Sequence, residues 1–290
     1  MLRIRVGIER GKIPTGWENV SIEHAIWMQE RVKRLPSGVI AYYESFVQEN
    51  RGTSVDMLTP SDRAELVKFA KEAICRLCGL TPFGLGKVTD DDSIFLARNV
   101  LPIFVLGVLG YMNPDYVPND KFRLARKTYY YPSSGLDISG GTVPFSGMTA
   151  IEFCTVSDLI VLNDLSVAPI IIATCCHRKG ERYDETLIMK RAELFKQLPM
   201  SVFWHIWAAM NKVHEYMKAE YPDCFSKSSG NSESGDSAAS WVNTLMQLVA
   251  DKPSELEYVQ SMPCYDFVRL LSVNIKKLKE EWKIRKALRF

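Results

Sequence analysis

Thr59-Pro-Ser-Asp-Arg-Ala-Glu-Leu-Val-Lys-Phe-Ala-Lys-Glu-Ala-Ile-Cys-Arg-Leu-Cys-Gly79 reads as a helix with both ends marked. Proline is tolerated in a first helical turn, where the backbone donor it lacks has no partner anyway. The Asp62 carboxylate meets the positive end of the helix dipole. The pattern runs to about Cys78, where Gly79 stops it.

Upstream, Ser21 is placed to cap a helix through Met28 and beyond, with Ile22, Ala25, Ile26 and Gln29 at helical spacing and Trp17 or Val20 available as a staple. Before it, Leu2–Ile8 alternates apolar Ile4, Val6 and Ile8 with basic Arg3 and Arg5, the period of a half-buried strand, and Gly11–Gly16 reads as a turn. Downstream, Asp90–Asp92 and Ser93 form a second acidic helix entrance ahead of the apolar run Ile94–Met112. Lys121–Tyr131 reads as a strand, the glycines from Gly135 to Gly141 as a turn, and Thr142–Phe145 as the return strand of a central hairpin that pairs with the N-terminal strand. Helical pattern resumes over Ala150–Asn163, over Val167–Cys176 and from Tyr183 to Glu220, the last divided by Pro199. The expected fold is α+β but mainly α, a helical bundle with a small antiparallel sheet. No internal repeat is evident.

Ser226–Ser240 is rich in serine and glycine and cannot bury enough apolar surface to offset its ordering entropy, so it reads as a flexible linker. Residues 1–225 are then a core domain, 226–240 the linker and 241–290 a C-terminal helical arm. The arm has helical periodicity over Trp241–Ala250 and Met262–Arg289 and a break at Asp251–Pro253.

At 290 residues and 47% hydrophobic the chain has the material for a substantial core. Its 36 basic and 34 acidic residues nearly cancel to a net charge of +2, so no global field favours nucleic acid or an anionic membrane. Seven cysteines, an odd number, fit a reducing compartment better than a disulfide framework. Met1–Arg10 has no apolar core of the kind a signal peptide needs. Asn99–Met112, the longest apolar stretch, is interrupted by Pro102 and falls short of the roughly 20 residues a membrane span requires.

Motifs that carry chemistry are sparse. Cys75, Cys78, Cys175, Cys176 and His177 are the best candidate zinc ligands, but thiols three apart on one helix are ordinary core residues, and no metal is expected. Gly84-Leu-Gly-Lys87 lacks the spacing of a phosphate loop, so no nucleotide cofactor is expected. Asp90, Asp91 and Asp92 suit a divalent cation but are explained by helix capping. None of the histidines, His24, His177, His205 and His214, sits in a nucleophile or metalloprotease motif, and the chain reads as a non-enzyme. Lys276, Lys277, Lys279, Lys283, Arg285, Lys286 and Arg289 crowd the C-terminus; they suit a solvated helix face better than a phosphate-binding tail. The apolar residues Leu270, Leu271, Ile275, Leu278, Trp282 and Ile284 give the same segment a face for a partner's groove.

Three stretches carry a resemblance. Lys12-Ile-Pro-Thr-Gly-Trp-Glu-Asn-Val-Ser-Ile-Glu-His24 resembles the opening of proteins from the tail-assembly region of tailed bacteriophages. Ile171–Met200, with Gly180-Glu-Arg-Tyr-Asp184 and Arg191-Ala-Glu-Leu-Phe-Lys-Gln-Leu-Pro-Met200, resembles a second stretch of the same group, and Trp241–Glu281 is similar to short helical units of tail assembly chaperones. The resemblance implies a cytoplasmic chaperone or adaptor, in an infected bacterial host, for a helical tape-measure or baseplate protein; the alternatives are a structural virion component, such as a connector or tail protein, and a metal-dependent enzyme. It also directs attention to Leu194, Phe195, Leu198, Met200, Phe203, Trp204 and Trp207 as partner-binding residues, against the competing reading that they pack in the core.

Overall fold

The computed structural model describes residues 2–6, 9–14, 16–47, 55–79, 88–110, 119–138, 141–225, 240–250 and 252–287. The chain is mainly α with a small antiparallel β component, divided between two compact units. One unit is Met1–Asp115 with Leu194–Trp204; the other is Tyr116–Glu193 with His205–Phe290.

In the first unit, β1 (Leu2–Val6) pairs with β2 (Glu9–Ile13) in an antiparallel hairpin whose register runs from Leu2 opposite Ile13 to Val6 opposite Glu9. The N-terminal strand therefore finds its partner in the segment that reads as a turn, not in a central hairpin. Helix α1 (Ile22–Val32) is capped by the Ser21 hydroxyl, which accepts from the His24 amide at 3.3 Å. It is followed by α2 (Ser37–Glu44) and α3 (Pro60–Cys78). Helix α3 has the ends its sequence marks: the Thr59 hydroxyl accepts from Asp62 N at 3.1 Å, and Gly79 closes the helix at φ 66°, a conformation that favours glycine. Arg31 ties α1 to α3 through Glu72 at 2.7 Å and Glu65 at 3.3 Å. The apolar run after Asp90 divides into α4 (Asp90–Asn99) and α5 (Pro102–Val108), separated at the proline.

Trp17 sits at the centre of this unit, 1% exposed, with the rings of Phe104 and Trp204 each 6.4 Å away. Gly107 on α5 lies so close that a Cβ there would stand 2.7 Å from the indole. The unit is closed by the segment around Pro199. Proline has no N–H to donate, so its neighbours make the bonds: Ile22 N donates to Leu198 O at 2.8 Å and Met200 N to Val20 O at 2.8 Å.

In the second unit, Lys121–Tyr131 is not one strand but a tight hairpin, β3 (Lys121–Leu124) with β4 (Lys127–Tyr130). It turns at Ala125 and Arg126, whose φ values of 49° and 63° are left-handed. Non-glycine residues adopt this conformation at about 1 kcal/mol each, offset here by cross-strand packing such as the stacked Phe122 and Tyr129 rings, 5.5 Å apart. A third hairpin pairs β5 (Leu136–Ile138) with β6 (Gly141–Val143).

Next come α6 (Ala150–Val161) and α7 (Ala168–Cys175); α8 (Glu185–Phe195) and α9 (Met200–Glu220) follow, broken at Pro199. After the short α10 (Pro222–Phe225), the chain continues in α11 (Trp241–Leu248), α12 (Leu256–Ser261) and α13 (Cys264–Ala287).

These last helices belong to the second unit and are not a separate arm. The Asp158 carboxylate on α6 accepts from Ser240 Oγ at 2.6 Å, Trp241 N at 2.7 Å and Val242 N at 3.1 Å, so an anion caps the start of α11. Trp241 packs against Phe153 at 5.3 Å and Phe225 at 5.2 Å. Leu245, Val259, Cys264, Phe267 and Val268 are buried. The apolar faces that the periodicity reveals are mostly spent on the core. Of the linker Ser226–Ser240, all but Ser240 lies outside the described residues.

The second unit is closed as the first is. Ala150 N donates to Met262 O at 2.8 Å and Cys264 N to Met148 O at 2.9 Å, flanking Pro263 as the other pair flanks Pro199. The two helix entrances correspond at one constant spacing: Trp17 with Phe145, Val20 with Met148, Ser21 with Thr149, Ile22 with Ala150, Met28 with Val156. All of these but Ser21 and Thr149, the cap residues, are buried. The chain thus repeats one closing device, although its sequence shows no evident repeat.

Replacing Trp17 with Ala is expected to destabilise the protein by about 3–5 kcal/mol, and Gly107→Ala by about 1–3 kcal/mol, in equilibrium denaturation. Asp158→Ala, which removes three hydrogen bonds to a charged acceptor, is expected to cost about 2 kcal/mol and to speed amide exchange across Trp241–Leu248.

Candidate functional site

Helix α13 carries an apolar stripe at alternating steps of four and three: Cys264, Val268, Leu271, Ile275, Leu278 and Trp282. Its first half is core, with Cys264 and Val268 at 0% exposure and Leu271 at 9%. Beyond Ile275, which is half-buried, the same stripe runs into solvent: Leu278 is 64% exposed and Trp282 63%. Every residue from Lys276 to Lys286 is exposed. Leu270 and Ile284 are also exposed, but helical geometry puts Ile284 on the far side of the helix from Trp282.

Lys276, Lys279, Lys283 and Lys286 follow one edge of the stripe at helical spacing. Lys279 bonds the Asp223 carboxylate on α10, holding that carboxyl below its ordinary value. The Lys286 ammonium stands over the Trp282 ring, 5.1 Å from its centre.

The other candidate binding residues have mostly structural places. Phe195 and Met200 are fully buried, Leu198 is 3% exposed and Phe203 8%, so no partner reaches them on the folded surface. Trp204 is half-buried against Trp17, Trp207 is half-buried, and Leu194 is 43% exposed. Several residues behind the tail-assembly resemblance are architectural as well: Trp17, Ser21 and Leu198-Pro-Met200 close the first unit, and Glu181 pairs with Arg191 at 2.8 Å in the second.

A cleft of about 1080 Å³ lies in the second unit, lined by Tyr130, Glu152, His177, Arg182, Tyr183 and Gln260 among others. At its floor His177 Nε2 bonds the buried Glu152 carboxylate at 2.6 Å, while the other oxygen of Glu152 accepts from Thr149 N at 2.9 Å and completes the cap of α6. His177 Nδ1 is closed off from solvent and has no hydrogen-bond partner. Neither ring nitrogen therefore faces the cleft for proton transfer. The pair anchors the chain after α7 to the first turn of α6, and a backbone bridge from Tyr130 N to His177 O at 2.8 Å secures it from the other side.

The remaining sequence candidates resolve by environment. Cys75 and Cys78 lie on α3 in the first unit, and burial pushes the Cys78 thiol up to about 12. Cys175 and Cys176 are fully buried, with thiols raised well above the ordinary value by burial, which disfavours the thiolate that metal binding or nucleophilic attack needs. Among the described residues no group of three or more His, Cys, Asp or Glu side chains is arranged to hold a metal ion. Asp92 completes a capping box with Thr89, whose hydrogen bonds lower its carboxyl, and Asp90 pairs with Lys71 at 2.7 Å. Gly84–Lys87 lies outside the described residues. No described helix is long and apolar enough to cross a membrane. No family model, curated protein or solved structure matches the chain.

The Glu181 and Arg191 pair gives a pH-dependent prediction. Burial alone raises the Glu181 carboxyl, but hydrogen bonds from the Arg178 amide and guanidinium and the Arg191 charge outweigh it and hold the group below its ordinary value. A carboxyl depressed in the folded state adds stability above its unfolded value, and that stability is lost as pH falls through the folded value. Glu181→Gln leaves the buried Arg191 guanidinium without its counter-charge and is expected to cost about 3 kcal/mol at neutral pH. The penalty should shrink in acid denaturation profiles as the wild-type carboxyl protonates.

Proposed function

We propose that this protein is a non-enzymatic assembly chaperone or adaptor of a tailed bacteriophage, acting in the cytoplasm of the infected cell on a helical tape-measure or baseplate protein. The observation that carries the reading is the exposed half of the α13 stripe. Ile275, Leu278 and Trp282 continue a seam that the protein's own core uses up to Leu271, so they offer a second helix the same kind of contact. Such a contact shields an apolar helix of a client before it is assembled. The resemblance of Lys12–His24 and Ile171–Met200 to tail-assembly proteins supplies the biological setting.

Deleting the whole of residues 226–290 is a poor test, because it strips Leu245, Phe267 and Val268 from the core of the second unit. Leu278→Glu with Trp282→Glu is the sharper variant, since both side chains are largely in solvent and the fold should tolerate the change within about 0.5 kcal/mol. The expected result is unchanged thermal unfolding with loss of the co-purifying tail component during infection. Mass spectrometry of finished particles should recover little of this chain; abundant recovery would replace the chaperone reading with that of a structural virion component.

A further inference from the structure

We infer that the occupant of the α13 stripe is an amphipathic helix with an acidic flank, an inference that rests on the docking role proposed above. The shape of the site points to a helix. Its apolar residues are confined to a narrow seam of four-and-three spacing, which suits one facing helix, whereas a helix lying in a membrane surface presents a broad apolar face. A nucleic-acid duplex, held mainly through its phosphates, would leave the aligned apolar Ile275, Leu278 and Trp282 without a matching surface.

Charge then selects among helices. The exposed segment carries Lys276, Lys277, Lys279, Lys283, Arg285 and Lys286 against Glu280 and Glu281. One edge of the seam is lysine throughout: Lys276, Lys279, Lys283 and Lys286. Lys279 and Lys286 occupy the flanking positions that set partner choice in paired helices, where opposite charges attract and like charges exclude; Lys276 and Lys283 stand one step farther from the seam on the same side, and Glu281 lies on the opposite flank. A second copy of this chain would bring a net positive segment against itself, so self-pairing is disfavoured and a partner with glutamate or aspartate along the facing edge is favoured. Within the protein, Lys279 already shows the preference by pairing with the Asp223 carboxylate.

The test uses two fluorescent synthetic peptides of about 21 residues, long enough to run past the exposed seam. They share one leucine and isoleucine seam and differ only in having glutamate or lysine at the flanking positions. Binding to the full chain is followed by anisotropy at low and high salt. The glutamate peptide should bind at least tenfold more tightly, with the advantage shrinking as salt rises. K276E/K283E/K286E, which leaves Lys279 on Asp223, should reverse the preference, and L278E/W282E should lose both peptides; circular dichroism melts confirm that each variant is folded.

Equal binding of the two peptides by the wild type would overturn the acidic partner while leaving the docking seam intact. Failure of both peptides to bind would overturn the seam itself, and the functional reading with it. Tighter binding to phosphatidylglycerol vesicles or to a duplex oligonucleotide than to the glutamate peptide, or a concentration-dependent dimer in sedimentation abolished by L278E/W282E, would assign the face to a different occupant.

Discussion

Each unit depends on a pair of backbone hydrogen bonds that join the start of a capped helix to a proline-centred helix junction. Proline disfavours helical conformation in the residue before it and has no amide to donate, so a helix that reaches it must stop and extend. The extended residues then need partners for their own N–H and C=O groups. Val20-Ser-Ile22 supplies them for Leu198-Pro-Met200, and Met148-Thr-Ala150 for Met262-Pro-Cys264. The same bonds satisfy amides in the first turn of α1 and α6, which a helix cannot satisfy internally. Because Trp17 and Phe145 stand just before the two caps and are both buried, closing the bridge also seals the core beneath it.

This arrangement explains why the chain cannot be divided into consecutive blocks. The junction at Pro199 completes a unit whose other residues end near Asp115, whereas the residues on either side of Leu194–Trp204 belong to the second unit. A division into core, linker and arm follows composition, which changes sharply at Ser226, but packing does not respect that change. Asp158 reaches the amides of Trp241 and Val242, and Phe153 meets the indole of Trp241, so the helices beyond the serine-rich stretch complete the core started by α6.

What was legible in the sequence is what local chemistry decides. The ends of α3, the Ser21 cap and the break at Pro199 each depend on one or two residues and appear where those residues stand. The hairpin at Ala125 and Arg126 was hidden because neither residue signals a left-handed turn; only the cross-strand packing makes that turn worth its cost. The role of Glu152 was hidden for a different reason, since its partner His177 is distant in sequence and meets it only once α7 has folded back. The doubled closing device did leave a trace. Arg-Ala-Glu-Leu occurs at 63–66 and again at 191–194, at the spacing that separates Ser21 from Thr149, but with chemically different residues between, the correspondence is plain only when both bridges are seen. Of the candidate partner residues, periodicity identified Ile275, Leu278 and Trp282 but could not separate them from Phe195 or Met200, because an apolar residue at helical spacing reads alike whether a core or a partner covers it.

The exposed seam follows from where the second bridge starts α13. The junction at Pro263 aims the helix into the unit, so Cys264, Phe267, Val268 and Leu271 meet other core residues, and the helix then outruns the core it packs on. Scattered apolar residues on a surface need no explanation. Ile275, Leu278 and Trp282 are different because they keep the period and the face of the buried residues before them. Burying a leucine and a tryptophan of this exposure stabilises a complex by about 1.5–3 kcal/mol per side chain, before ordering costs are met. A row of lysines beside the seam limits indiscriminate association, since a facing helix without complementary charge must desolvate or repel them. Length of helix beyond the core, period of the seam and sign of its edge are the three features on which the proposed acidic helical partner rests.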